Sequence, residues 1–258
     1  MKMTIRSSTV PSTDLLELSS NDRRAKLREA CEEWGCFRVV NHGVPLTLMR
    51  EMKRVARELL DLPEEVKRRN VGTVHGSSYL GPSKVSPLYQ AMGVYDTASS
   101  LALDTFSSQL DASPQQREVI KEYVKAINGL AFELANNIAE SVGVKPEADW
   151  CKEWPVQLRI NKYDFASETA TVGSLGVRAH TDTSFLTILQ DDESMGGLEV
   201  MPKNAGKYVD VEPITGAFLV NLGDIATVWS NGGFCNVIHR VNCKEAGTRV
   251  SIASFLLG

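Results

Sequence analysis

VRAHTDTSFLTILQ (Val177 to Gln190) is the stretch on which the reading of this chain turns. Its β-branched and aromatic content reads as a strand, and successive side chains on a strand point to opposite faces. His180 and Asp182, two residues apart, then converge on one side of a sheet. A second histidine, His239, stands in the later segment NVIHRVN (Asn236 to Asn242). Two imidazoles and one carboxylate that leave other positions open describe a non-haem Fe(II) centre for dioxygen chemistry. A lone His-x-Asp is weak evidence, since such a pair is more often a satisfied surface contact. Its company strengthens it: Arg249 follows His239 by ten residues, and Ser251 lies two further on, on the same face of the last strand. A planar five-donor fork beside a hydroxyl makes a bidentate clamp suited to the distal acid of a dicarboxylate cosubstrate.

Around this stretch, from Gln157 onward, short β-branched and aromatic segments recur between Gly, Asn or Pro: QLRINKY, GLEV, KYVDVEP, AFLVNLG, NVIHRVN and RVSIASFLL. With the opening segment they predict seven strands in an antiparallel barrel or jelly roll, whose mouth is a natural ligand cavity. The first half reads as helical. Leu27, Ala30, Cys31 and Trp34 keep helical spacing up to Gly35, and FRVVN (Phe37 to Asn41) follows as a strand. A second amphipathic run carries Leu48, Met52, Val55 and Leu59. Ser113-Pro114 places an N-cap before proline, and apolar residues from Val119 to Ile138 keep period until Gly143, giving a helix of roughly 45 Å. Val71 to Leu103, rich in Gly, Ser and Pro, reads as a loop that forms part of a pocket wall.

The chain has 258 residues, which favours one domain with a substantial core. Its 28 basic and 32 acidic residues leave a net charge of -4 with no concentrated basic patch, which argues against nucleic acid as a partner. No apolar run is long enough for a signal peptide or a bilayer crossing, so no membrane association and a cytoplasmic location are expected. Five scattered cysteines, Cys31, Cys36, Cys151, Cys235 and Cys243, fit neither disulfide pairs nor a zinc site and read as reduced packing residues.

The sequence resembles the plant-type 2-oxoglutarate and Fe(II)-dependent dioxygenases over almost its whole length. The matching pieces are GCFRVVNHGVP (Gly35 to Pro45), NKY (Asn161 to Tyr163), HTDTSFLTILQ (His180 to Gln190), GGLEV (Gly196 to Val200), VNLGD (Val220 to Asp224), WSNG (Trp229 to Gly232), HRV (His239 to Val241) and RVSIASFL (Arg249 to Leu256). The resemblance implies an α+β fold: a double-stranded β-helix (jelly-roll) barrel buttressed by N-terminal helices. Within a single dioxygenase domain, residues 1–150 would be mainly helical and residues 151–258 the catalytic core. It implies that His180, Asp182 and His239 ligate Fe(II), that Arg249, Ser251 and Tyr163 hold 2-oxoglutarate, and that Asn161 lies beside it. Oxidative decarboxylation to succinate and carbon dioxide, with dioxygen consumed and ascorbate supportive, follows from the same family. His42 of the NHGV piece is assigned a structural role in capping and packing.

A small-molecule substrate is expected. The short N-terminal half and MGVYD (Met92 to Asp96) look most like the auxin-oxidising branch, for which indole-3-acetate is the substrate. Strand parity puts Arg178 on the iron side, as a partner for an acidic substrate, and Tyr79, Leu158, Phe234 and Phe255 are candidate pocket residues that favour a flat apolar molecule. His75 is expected to be exposed, and Asp191-Asp192-Glu193 to be a solvated turn. The departures from the family are a weak strand at VPSTDL (Val10 to Leu15) and an end at Gly258, where members usually continue into a helical segment over the site. A weakly active or silent small-molecule binder, an ascorbate-supported oxidase, and a dioxygenase for a flavonoid, gibberellin or alkaloid are the alternatives. A monomer or weak homodimer is the expected assembly.

Overall fold

The computed structural model describes residues 9–17, 21–147, 150–166, 168, 170–203 and 205–258. In chain order the elements are β1 (Ser12–Asp14), α1 (Asn21–Glu29), β2 (Cys36–Val40), α2 (Leu46–Leu60), α3 (Glu64–Lys67), β3 (Tyr89–Val94), α4 (Ser100–Gln109) and α5 (Pro114–Ser141). They continue with β4 (Val156–Asp164), β5 (Leu175–His180), β6 (Leu186–Gln190), β7 (Leu198–Met201), β8 (Val209–Asp210), β9 (Phe218–Leu222), α6 (Asp224–Trp229), β10 (Ile238–Asn242) and β11 (Thr248–Leu256).

The strands form a seven-stranded sheet, ordered β1-β2-β9-β6-β11-β4-β3, and a four-stranded sheet, ordered β5-β10-β7-β8. The inner faces of the two sheets share a cluster of buried side chains that includes Ala91, Leu189, Val200, Leu219, Val241 and Ala253. The outer face of the larger sheet packs against the helices through Leu158, Ile160, Ile188, Val220 and Ile252. The alternation that sends Ile252 outward sends Ser251 inward, so a single strand serves both the helical core and the interior of the jelly roll.

The helices form where the periodicity placed them. Helix α5 starts on a capping box, with the Ser113 hydroxyl accepting from the Gln116 amide and the Gln116 side chain accepting from the Ser113 amide. Its 28 residues make it about 42 Å long. Ile120, Ile127, Leu134 and Ile138 form its buried stripe against α1 and α2. The run ending at Trp34 closes through a π turn, with the Gly35 amide donating to the Ala30 carbonyl. Gly35 has φ +67°, and a Cβ there would meet the Cys235 carbonyl oxygen at 2.5 Å, so both conformation and crowding require glycine.

Three expectations are corrected. Residues 71–103 are not all loop, since β3 and the start of α4 lie within them. Gly93 within β3 and the shortness of the stretch of α4 that falls before residue 104 hide the periods of these elements. Val177 to Gln190 is two strands, β5 and β6, with Asp182 in the turn between them. KYVDVEP yields only the two-residue β8; VPSTDL, expected as a weak strand, gives the three-residue β1, parallel to β2. All five cysteines are buried and unpaired to one another. Among the described residues no helix is long and apolar enough to cross a membrane.

Candidate functional site

His180 ends β5 and lies directly across from His239 on β10, in the antiparallel register of the smaller sheet. Their ring centroids are 4.2 Å apart. Asp182, from the turn after β5, places Oδ1 3.8 Å from Nε2 of each histidine. The ligand atoms of all three lie within 4.8 Å of one another. Each histidine's Nδ1 faces a backbone carbonyl, Arg178 O at 2.8 Å and Val237 O at 3.1 Å. With Nδ1–H donating there, the Nε2 lone pairs point at the shared space. The Thr187 hydroxyl donates to Asp182 Oδ2 at 2.7 Å, leaving Oδ1 for the same point. Burial holds the His239 imidazole below its ordinary pKa, against the opposing pull of Asp182, which favours a neutral ligand. This donor set, with its outer oxygens and nitrogens already bonded, fits a divalent first-row metal such as Fe(II).

Across the cavity, β4 and β11 pair in continuous register: Arg249 opposite Tyr163, Ser251 opposite Asn161, Ala253 opposite Arg159 and Phe255 opposite Gln157. All eight residues line one cavity together with the His-Asp-His cluster. Arg249 is fully buried, and its Nη2 donates to the Asp191 carboxylate. Burial pulls its pKa down, but Asp191, Tyr163 and Asp192 outweigh this and hold it above the ordinary arginine range. Its Nε and Nη1 have no hydrogen-bond partner. Two unsatisfied donors on a buried guanidinium beside a cavity are what a carboxylate would complete. Asn161 Oδ1 accepts from the Tyr89 hydroxyl at 2.8 Å, which holds that side chain against the cavity wall.

Only part of the expected substrate wall is here. Phe255 lines the cavity. Leu158 sits on the opposite face of β4, buried in the helical core, because odd and even positions of the strand face different sides. Phe234 is also in that core, stacked on Trp229 with centroids 6.1 Å apart. The Tyr79 hydroxyl is engaged by Glu64 at 2.8 Å and Gln90 at 3.1 Å, outside the cavity. Arg178 is exposed and does not line the cavity either. Its parity argument fails because β5 and β10 slip in register between residues 239 and 241, so that Val177 and His180, three apart, both face inward.

Other residues gain a role. Asp191 and Asp192 do not form a solvated turn: their side chains are 13% and 1% exposed, paired with Arg249 and Arg57. Lys53 reaches from α2 to the Asp191 and Val250 carbonyls, each at 2.6 Å. Burial depresses its pKa to about 8 despite the nearby aspartates. His75 is exposed as expected, yet with Val74 and Gly76 it closes one end of the cavity. Arg159 was within reach of the sequence, since it lies two residues before Asn161 on the same strand face. His42 is structural, with Nε2 2.9 Å from the Gly216 carbonyl and Nδ1 accepting from the Val44 amide at 3.2 Å.

Residues 155–258 match the family described as the 2OG-Fe(II) oxygenase superfamily, and residues 10–126 match the non-haem dioxygenase in morphine synthesis N-terminal family. The chain is 46% identical over 236 residues to the 2-oxoglutarate-dependent dioxygenase DAO of Oryza sativa subsp. indica, covering 92% of this chain and 77% of that one. The structure of the dioxygenase for auxin oxidation 1 from Arabidopsis thaliana, in binary complex with 2-oxoglutarate, superposes with a TM-score of 0.92 at 55% identity, covering 97% of this chain and 93% of that one. The dioxygenase for auxin oxidation in rice gives 0.87 at 44% identity, covering 96% and 83%.

Proposed function

The chain belongs to the 2OG-Fe(II) oxygenase superfamily and is a 2-oxoglutarate-dependent dioxygenase; from that premise we propose that its substrate is a small, flat, largely apolar acid of the auxin type, indole-3-acetate. In this reading His180, Asp182 and His239 hold Fe(II), while Arg249, Ser251 and Tyr163 hold the distal carboxylate of 2-oxoglutarate, with Asn161 beside its chain. The observation that carries it is the meeting, in one cavity of about 400 Å³, of a His-Asp-His cluster with a buried guanidinium that still has two donors to give. A cavity of that size suits a drug-sized or smaller ligand.

Held by His180, Asp182 and His239, Fe(II) would supply the dioxygen chemistry that couples decarboxylation of 2-oxoglutarate to succinate and carbon dioxide with oxidation of the substrate. The protein's own contribution is orientation and exclusion of water. The carbonyls of Arg178 and Val237 keep the histidine Nε2 atoms available as ligands, and Thr187 fixes the Asp182 carboxylate. Asp191 holds Arg249 through Nη2 and leaves Nε and Nη1 without partners, so the guanidinium is already positioned for an incoming carboxylate. Val177, Leu189, Leu198, Val241 and Phe255 give the space beside the metal cluster apolar walls that shed water and admit an aromatic ring.

The test is turnover of purified protein with Fe(II), ascorbate and 2-oxoglutarate against indole-3-acetate, a gibberellin, a flavanone and an alkaloid, with products read by mass spectrometry. Succinate formed in step with an oxidised indole acid is the expected result. Turnover confined to another class would overturn the substrate assignment, and a ligand bound but never consumed would mark a binding protein. Turnover without 2-oxoglutarate would point to an ascorbate-supported oxidase.

A further inference from the structure

The cavity contains a second guanidinium that the metal and dicarboxylate chemistry does not use. Arg159 lies four residues along β4 from Tyr163, the residue facing Arg249, and therefore about 13 Å along the strand at 3.3 Å per residue. It shares that end of the cavity with His75, Gly76 and Gln157, whereas Arg249 sits against Asp191 at the other. Its buried Nε has no hydrogen-bond partner, and no ion pair joins it to an acid among the described residues. The Tyr89 ring centroid lies 5.9 Å from its guanidinium carbon and the phenol is in hydrogen-bonding reach of it, but burial outweighs that contact and pushes the phenol's pKa up, so Tyr89 offers no negative charge.

The surroundings keep this guanidinium accessible. Its neighbours across the sheet are Ala253 on β11 and Gly93 on β3, the two smallest side chains available to flank a long one. A Cβ at Gly93 would meet the Gly76 carbonyl oxygen at 2.3 Å, so the absence of a side chain there lets the His75-Gly76 turn settle against β3. Gly76, at φ +81°, is itself so close that a Cβ would stand 2.7 Å from Gln157 Nε2 and 3.1 Å from Arg159 Nη1. The Gln157 amide is tied to the His75 carbonyl at 2.9 Å. The turn thus walls in Arg159 without neutralising it.

We propose that Arg159 is the specificity-determining residue that receives the carboxylate of the substrate, so that the two arginines on one face of the β4–β11 ladder divide the acids between them: Arg249 takes the cosubstrate and Arg159 the substrate. This rests on the reading of the site as one that oxidises an acidic molecule. It also moves the acid-recognising role from Arg178, which is exposed outside the cavity, to a position inside it.

The experiment is calorimetric titration of the metal- and 2-oxoglutarate-loaded protein, under anaerobic conditions, with indole-3-acetate and its uncharged analogue indole-3-acetamide. KM is measured for the same pair and for 2-oxoglutarate. The wild type binds the acid about tenfold or more tightly than the amide, the scale of a lost charge-assisted hydrogen bond. R159Q loses that preference while its KM for 2-oxoglutarate stays at the wild-type value, R159K keeps part of it, and R178Q behaves as wild type. A preference that survives R159Q, a wild type with none, or an equal loss of 2-oxoglutarate affinity overturns the assignment. If the acid binds through Arg159 yet is never oxidised, the proposed reaction fails and the recognition stands.

Discussion

The Asp191 carboxylate accepts from Nη2 of the fully buried Arg249 guanidinium, whose Nε and Nη1 have no hydrogen-bond partner. Removing one partner of a buried pair leaves an uncompensated charge, at a typical cost of about 3–5 kcal/mol. Asp191→Asn should therefore lower the melting temperature markedly. Because 2-oxoglutarate brings its own negative charge to Arg249, it should raise the melting temperature of the variant more than that of the wild type. Thermal denaturation with and without 2-oxoglutarate checks this; equal ligand-induced shifts would refute the pairing's role.

Thr187 tests how far the metal cluster depends on its support. Its hydroxyl is the donor that turns Asp182 Oδ1 toward the histidines. Thr187→Val should weaken Fe(II) or Mn(II) binding by about 10–100-fold, as loss of an outer partner does, while Asp182→Ala should abolish it. Metal titration distinguishes the two, and full affinity in the valine variant would show that the carboxylate is held by other means.

Acid stability should depend on Asp192. Burial raises its carboxyl pKa, but the Val250 amide, Ser194 and Lys53 outweigh burial and leave it below the ordinary aspartate value. As pH falls, the unfolded chain takes up this proton first, so the stabilisation present above the ordinary aspartate range is lost as pH passes down through the native value. Denaturant titrations carried from neutral pH down through and below the ordinary aspartate value of 3.8 should show a shallower acid limb for Asp192→Asn than for wild type. Identical slopes would count against the shifted carboxyl.

Leu158 separates core from cavity. It is 1% exposed, within the helical side of the sheet. Leu158→Ala should cost about 2–5 kcal/mol of stability through the space it vacates. The KM for substrate should stay within about twofold of wild type, since no cavity contact is lost. A large KM change at unchanged stability would return Leu158 to the binding wall.

Much of the fold was legible because helical and strand periods are local: the N-cap at Ser113 and the alternation in RINKY and RVSIASF appear as the sequence implies. The convergence of His180, Asp182 and His239, and of Arg249 and Ser251 on one face of β11, was legible through residue chemistry, even though Asp182 lies in a turn and not on the strand expected for it. Parity failed at Arg178, where a register slip between β5 and β10 shifts the faces, whereas Leu158, proposed from its residue type, lies on the helical side where parity along β4 puts it. The paired role of Asp191 was hidden because nothing local marks a turn acid as the partner of an arginine 58 residues away. A buried arginine nonetheless demands such a counter-charge, and that demand was the available signal.

Strands β1 and β2 stand at one end of the larger sheet and β3 at the other, so chain from the first half brackets the strands of the second. The same first half supplies Tyr89, His75 and Gly76 to the cavity and sends Lys53 to the strand that bears Arg249. Chimeras between relatives would therefore not split cleanly into a scaffold and a reaction centre. Transplanting the N-terminal portion should reshape the wall around His75, Gly76 and Tyr89 while Arg159 stays behind with the iron and keto-acid chemistry, so selection could tune what fits beside the acid without touching how it is oxidised.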